Sequence, residues 1–236
     1  MANSKTFALT QEQRKLTIEQ LLDVSLFTPE YVMLLILSSL IVIAGLLIDS
    51  ASAIIGGMVV APLLPPILAM SMGFALADLR LLRKSMKTLL VSIAVAVALA
   101  AVLTLFAKPN GMTGEILERS SASLAHFMIA VCAGVLAAYS HAKPNVSSAL
   151  TGIAVSVALL PPIAVTGIGI AALDWNLVSG SLLLFILNLI GIIFPATMIF
   201  SVMGFYPMRR HARQTLNKEE KEAAEEWKDL DKKSKE

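Results

Sequence analysis

The sequence predicts an all-α, polytopic membrane protein: six transmembrane helices in two inverted three-helix repeats, with a proline-broken second helix in each repeat. Three observations lead there. Of 236 residues, 56% are hydrophobic and only 15% charged, and the charges are segregated so that long windows hold none. Windows of 18 or more apolar residues are candidates to cross a bilayer. A 27-residue stretch also occurs twice, 96 residues apart: Ser52 to Asp78 and Ser148 to Asp174 share 12 identical positions, including Gly56/Gly152, Val59/Val155, the run Leu-Leu-Pro-Pro-Ile, Gly73/Gly169 and Asp78/Asp174. Finally, when the apolar segments are threaded from a cytoplasmic N-terminus, the 19 Lys and Arg divide 17 to 2 in favour of the cytoplasmic side, as the positive-inside rule requires.

Residues 1–30 form a cytoplasmic polar lead. Thr10 and Gln13 resemble a capping box, and Leu16, Leu21, Leu22 and Leu26 suggest a short amphipathic helix lying along the membrane surface. No short apolar core follows a basic start, so no cleaved signal peptide is predicted and the first spanning helix directs insertion. Thr28, Pro29 and Glu30 then supply an N-cap, a proline at the first helical position and an acid in the first turn, with Tyr31 marking the interface. Apolar segments at 31–48, 53–77 and 86–107 make transmembrane repeat 1, over 31–107. An external loop covers 108–123. Segments at 124–140, 147–173 and 178–206 make transmembrane repeat 2, over 124–206, and 207–236 is a charged cytoplasmic tail. Three spans per repeat force the second copy to enter from the opposite side. Asp78 accordingly falls beside the basic loop Arg80–Lys87, while its equivalent Asp174 falls in a charge-poor outer turn. The tail opens with Arg209, Arg210 and Arg213, read as a topology anchor before a solvated, partly helical end.

The duplicated prolines are the candidate site. Pro62, Pro65 and Pro66 lie about ten to fourteen residues into the second span, which places them near the bilayer midplane. Proline lacks an N–H and clashes with the carbonyl four residues back, so these three release the carbonyls of Met58, Ala61 and Pro62. Pro161 and Pro162 likewise release those of Val157 and Ala158. Backbone broken at that depth persists only where protein, water or a solute satisfies it, and corresponding interrupted helices in inverted repeats point to a transporter's binding site. Packing that merely seals two kinks is the competing account. Ser52 and Gly56, and Ser148 and Gly152, recur at four-residue spacing and would let the two broken helices cross closely. Asp49 and Asn145 occupy equivalent turns, where they either cap the following helix or line a vestibule. Asn188, deep in the sixth span with Ser92 as its partner in the first copy, either joins neighbouring helices or contributes to the site.

Other chemistry is missing. No Asp, Glu, Lys or Arg lies near a span midpoint, which weakens a proton relay. The sequence has no phosphate loop, no metal-ligand pair of His or Cys at helical spacing and no nucleophile with a base, so no enzyme, cofactor, metal or nucleic-acid partner is expected. The single cysteine, Cys132, reads as a small buried hydrophobe. The sixth span is apolar nearly all round from Leu182 to Ile190, which predicts a homo-oligomer.

The motifs Asp49 to Ser52, Gly56 to Ile67 and Ala158 to Ile163 are similar to those of a family of hydrophobic bacterial and archaeal membrane proteins catalogued as a domain of unknown function. The resemblance covers about 20–206. It implies a membrane core in the prokaryotic cytoplasmic (inner) membrane, with both termini cytoplasmic by the charge count, and it brings no activity. Members often carry a further soluble N-terminal region where this chain has a short polar lead. The function expected is secondary transport of a small solute or ion, with the lipid bilayer as the other partner. The alternatives are a channel-type pore of the same fold, and a membrane scaffold or sensor acting through the tail.

Overall fold

The computed structural model describes residues 9–107, 111–143 and 148–233, with the side chains of 148–158 and 232–233 outside that description. Among the described residues every regular element is helical. In order these are α1 (Gln11–Asp23), α2 (Pro29–Leu47), α3 (Ala51–Val60), α4 (Leu64–Ala75), α5 (Leu79–Ala107), α6 (Gly114–Glu118), α7 (Leu124–Ala142), α8 (Ser148–Ala172), α9 (Trp175–Val202) and α10 (Arg209–Lys233). Among the described residues α2, α5, α7 and α9 are long and apolar enough to cross a membrane, and α3 with α4 pass the same test only as a pair, bent by 54° at the break between them. These helices make it a membrane protein.

Local signals set the starts of the elements. The Thr10 amide donates to Gln13 Oε1 at 2.9 Å and the Gln13 amide returns to Thr10 Oγ1 at 3.2 Å, the reciprocal capping box expected. Thr28 caps α2 through the Tyr31 amide, with Pro29 in the first turn. The duplicated stretch ends in the same turn twice. Ala77 and Leu173 adopt positive φ of 49° and 57°, and the next amide reaches back to Gly73 (2.9 Å) and Gly169 (3.0 Å) respectively. Asp78 Oδ1 then accepts from the amides of Arg80 and Leu81, and Asp174 Oδ1 from those of Asn176 and Leu177. The two glycines serve one purpose: a Cβ on either would sit 3.1 Å from the backbone nitrogen of Leu82 or Val178, themselves equivalent positions.

The copies part company at the prolines. α8 runs through Pro161 and Pro162 without interruption, which corrects the expectation of a broken second helix in each repeat. The reason lies in one residue. A proline pushes the residue before it out of the α region; Ala61 precedes Pro62 and takes φ −66°, ψ 125°, ending α3. At the equivalent place in the second copy stands Ala158, so Val157 is under no such restriction. The pair Pro65-Pro66 does not break anything: both prolines lie in the first turn of α4, where their missing amides are unbonded anyway.

Other expectations change with packing. Gly56 is exposed and a Cβ there would meet nothing within 4 Å, so it makes no close crossing. Gly57 does, with its notional Cβ 2.9 Å from the Ser38 carbonyl oxygen on α2. Cys132 is exposed because α7 turns its stripe of Ala130, Ala133, Gly134 and Ala137 inward instead. Tyr31 is 4% exposed, with its hydroxyl 2.8 Å from Ser92 Oγ on α5 rather than at a lipid interface.

At the end of the bundle that carries the α4–α5 turn, α1 and α10 form a packed layer. Leu21 and Leu22 bury against protein, not lipid, since α1 packs on α10, α4 and α7; Leu16 stays 46% exposed. Arg14 donates to the Met203 carbonyl at the end of α9. The tail is helical and docked at its start: α10 buries Ala212, Thr215 and Leu216 on one face, while 224–231 is exposed and its Trp227 indole donates to the Phe27 carbonyl at 2.9 Å.

Candidate functional site

The break between α3 and α4 spans Ala61 to Leu63. Met58, Ala61 and Pro66 are buried, whereas Pro62 and Pro65 are half-buried and face a cavity of about 250 Å³. Its remaining wall comes from Val24 at the end of α1 and from Thr28, Tyr31 and Leu34 at the start of α2, and three carboxylates complete it: Asp23, Glu30 and Glu226. All three acids are exposed, so they stand at the mouth. The break therefore opens beside the first turns of α2, about one turn from its N-terminus, not opposite its middle. No Lys, Arg or His lines the cavity, and among the described residues no cluster of His, Cys, Asp and Glu is arranged to hold a metal ion.

The other expected site residues scatter. Asp49 has φ 57° and sits at the opposite end of α2, where its Oδ1 accepts the Glu115 amide of α6 at 2.9 Å. The following helix is capped by Ser50, through the Ala53 amide, so Asp49 neither caps it nor faces the break. Ser52 is exposed and pairs with Ser50 Oγ at 3.2 Å. Pro161 and Pro162 are buried within α8, and the Pro162 carbonyl accepts the Thr166 hydroxyl at 2.9 Å. Asn188 is buried in α9. Asn145 lies outside the described residues, and Ser148, Gly152, Val157 and Ala158 belong to a described helix whose side chains there lie outside the description.

Sequence reasoning missed the acidic rim. Glu30 carries only the signature of a first-turn acid, and nothing in the chain announces that Asp23 and Glu226, 203 residues apart, share one opening with it. It also missed the role of Asp78. That carboxylate is 1% exposed and, beyond capping α5, accepts from Arg213 Nε, with Arg209 Nε at 3.5 Å. Burial alone would raise its pKa, but the hydrogen bond from Arg213 and the amides of Leu81 and Arg80 outweigh that and hold it below the ordinary carboxylate value. Asp174 has the cap without the arginines. The sequence signal was available: Arg209, Ala212, Arg213 and Leu216 share one helical face.

Residues 58–194 match a family described as "Domain of unknown function (DUF389)", a stretch that covers more than half of the chain and holds both proline motifs and both capping aspartates. The chain belongs to this family. The uncharacterized protein MJ0678 of Methanocaldococcus jannaschii is similar to this DUF389 member, 32% identical over 196 residues, which are 83% of this chain and 61% of the relative. The chain thus spans about 61% of that relative's length. No solved structure matches it. The family match contains the break, while Asp23, Glu30, Glu226 and the arginines of α10 fall outside the matched stretch.

Proposed function

We propose that this DUF389 protein moves a small, positively charged solute or ion across the membrane, entering through the acidic cavity that ends on the α3–α4 break. The observation that carries the proposal is the coincidence of the two: a helix pair interrupted at Ala61 to Leu63 opens on a cavity ringed by Asp23, Glu30 and Glu226, with no Lys, Arg or His in its lining. Three carboxylates around one opening concentrate cations and repel anions. The size, about 250 Å³, falls below the ~300–1,000 Å³ of pockets for drug-sized ligands, so the species admitted is small. In this account the two copies are inverted repeats, the termini and the acidic mouth face the cytoplasm, and copies of the chain assemble into a homo-oligomer. Asymmetry is written into the chain: Pro62 opens one repeat and Ala158 leaves the other continuous, so the first copy supplies the site. The protein acts as a carrier, not as an enzyme.

Flux into liposomes reconstituted with the purified chain tests this. A panel of inorganic and small organic cations is compared with anions of similar size; a cation is expected to move, with saturation and counterflow, and to slow in Pro62→Ala and Glu30→Gln. Fast, unsaturated flux would indicate a channel, and flux no faster than through empty liposomes would overturn the proposal. Orientation is checked with single cysteines in a Cys132→Ser background. An impermeant thiol reagent added outside should label a cysteine at Asn176 and spare one at Arg83; labelling of both would remove the inverted arrangement.

A further inference from the structure

A second cavity, of about 340 Å³, lies between α5, the α1–α2 connection and α10. Lys84, Lys87 and, one turn further along α5, Val91 line it on one side, Leu26 and Phe27 of the α1–α2 connection on another, and Glu220 of α10 closes it. Charge is unbalanced there. Glu220 is shared between Arg80 at 2.9 Å and Lys84 at 3.0 Å, and among the described residues Lys87 makes no ion pair. Two lysines thus face one carboxylate that Arg80 already shares.

The position along α5 says what meets them. From Thr88 to Ala107 the helix carries no charged residue, and 20 residues at ~1.5 Å each match a hydrocarbon core of ~30 Å. Lys87 is the last charge before that run, so the cavity straddles the membrane boundary, cationic outside it and apolar within. Basic pockets between spanning helices at such a boundary suit lipid headgroups.

We propose that this cavity seats an anionic phospholipid, its phosphate between Lys84 and Lys87 and the start of an acyl chain against Leu26, Phe27 and Val91. A free phosphate would leave the apolar wall unused. Because Glu220 also bonds Lys84, the phosphate competes with α10 for that amine, and lipid binding loosens one attachment of the tail. The site is distinct from the acidic cavity and stands whether or not the transport proposal does.

The test uses the full chain in mild detergent, titrated with phosphatidylglycerol or with phosphatidylcholine of the same acyl chains, bound lipid being counted by native mass spectrometry and read in parallel as a thermal shift. Phosphatidylglycerol is expected to bind more tightly. Lys87→Gln, which breaks no ion pair, should weaken it about five-fold, the equivalent of about 1 kcal/mol per basic residue near an anionic surface. Glu220→Gln should strengthen it, and Lys221→Gln, on α10 outside the cavity, should leave it unchanged. Inorganic phosphate at equal concentration should not reproduce the shift. Equal binding of the two lipids, a Lys87→Gln effect no larger than that of Lys221→Gln, or a full shift with inorganic phosphate alone would each overturn the assignment.

Discussion

Asp78 and Asp174 are equivalent in sequence and cap their helices identically, yet only Asp78 meets arginines, so the second is a built-in control for the first. Replacing Asp174 by Ala removes one N-cap, worth about 1 kcal/mol. Replacing Asp78 by Ala removes the same cap and also the acceptor for Arg213 and the ion-pair partner of Arg209. Hydrogen bonds to charged groups contribute about 1.5–3 kcal/mol when shielded; here the carboxylate is shielded at 1% exposure but the guanidinium groups are 49% and 41% exposed, and solvent screening reduces the figure to about 1–2 kcal/mol. Asp78→Asn separates the parts, since its side-chain oxygen still caps α5 while the charge is gone. Hydrogen exchange of the α10 amides reads local opening directly. Asp78→Asn should speed exchange across 209–226 by about 5- to 30-fold, the factor for 1–2 kcal/mol, and Asp174→Asn should leave it unchanged. Equal acceleration by both variants, or none by Asp78→Asn, would refute the assignment of Asp78 as the anchor of the tail.

Other outcomes follow from the same geometry. Gly57→Ala should destabilise by about 1–3 kcal/mol in thermal unfolding, because its Cβ would lie 2.7 Å from Val42 Cγ2 and 2.9 Å from the Ser38 carbonyl. Gly56→Ala, in open space, should be neutral or stabilising by up to about 1 kcal/mol. Ala158→Pro recreates the first copy's proline spacing inside a continuous helix and should cost about 3 kcal/mol; a melting temperature equal to the parent's would undo the account of why only one copy is broken. Acidification should act on α10 in two stages, followed by Trp227 fluorescence. Burial and the charges of Glu222 and Asp23 raise the pKa of Glu219, so its protonation first relieves repulsion between α1 and α10. Asp78 has the depressed value: its contribution is complete above the unfolded carboxylate pKa of about 3.9 and is lost as pH falls through the lower folded value. Undocking centred at pH 5–6 would mean another group holds the tail.

The helices themselves were legible in the chain, because each depends on local chemistry that a sequence displays. Thr10, Thr28 and the run after Lys87 start or carry their elements through caps and uninterrupted apolar stretches, and the repeated Asp marks the same turn wherever it falls. The prolines were legible only in part. Three of them in seven residues announced an interruption, but only the first of the three breaks the helix, and the difference between Pro62 and Ala158 outweighs the likeness of the two Pro-Pro pairs. Tertiary structure alone decided the rest. Gly56 and Gly57 are neighbours with opposite fates because helical rotation puts one against α2 and the other outside. Asp23, Glu30 and Glu226 make one acidic mouth only because α10 folds back over the connection between α1 and α2. Asp78 becomes an anchor for the same reason: a carboxylate selects no partner by itself, and long-range packing brought Arg209 and Arg213 to one of two equivalent aspartates.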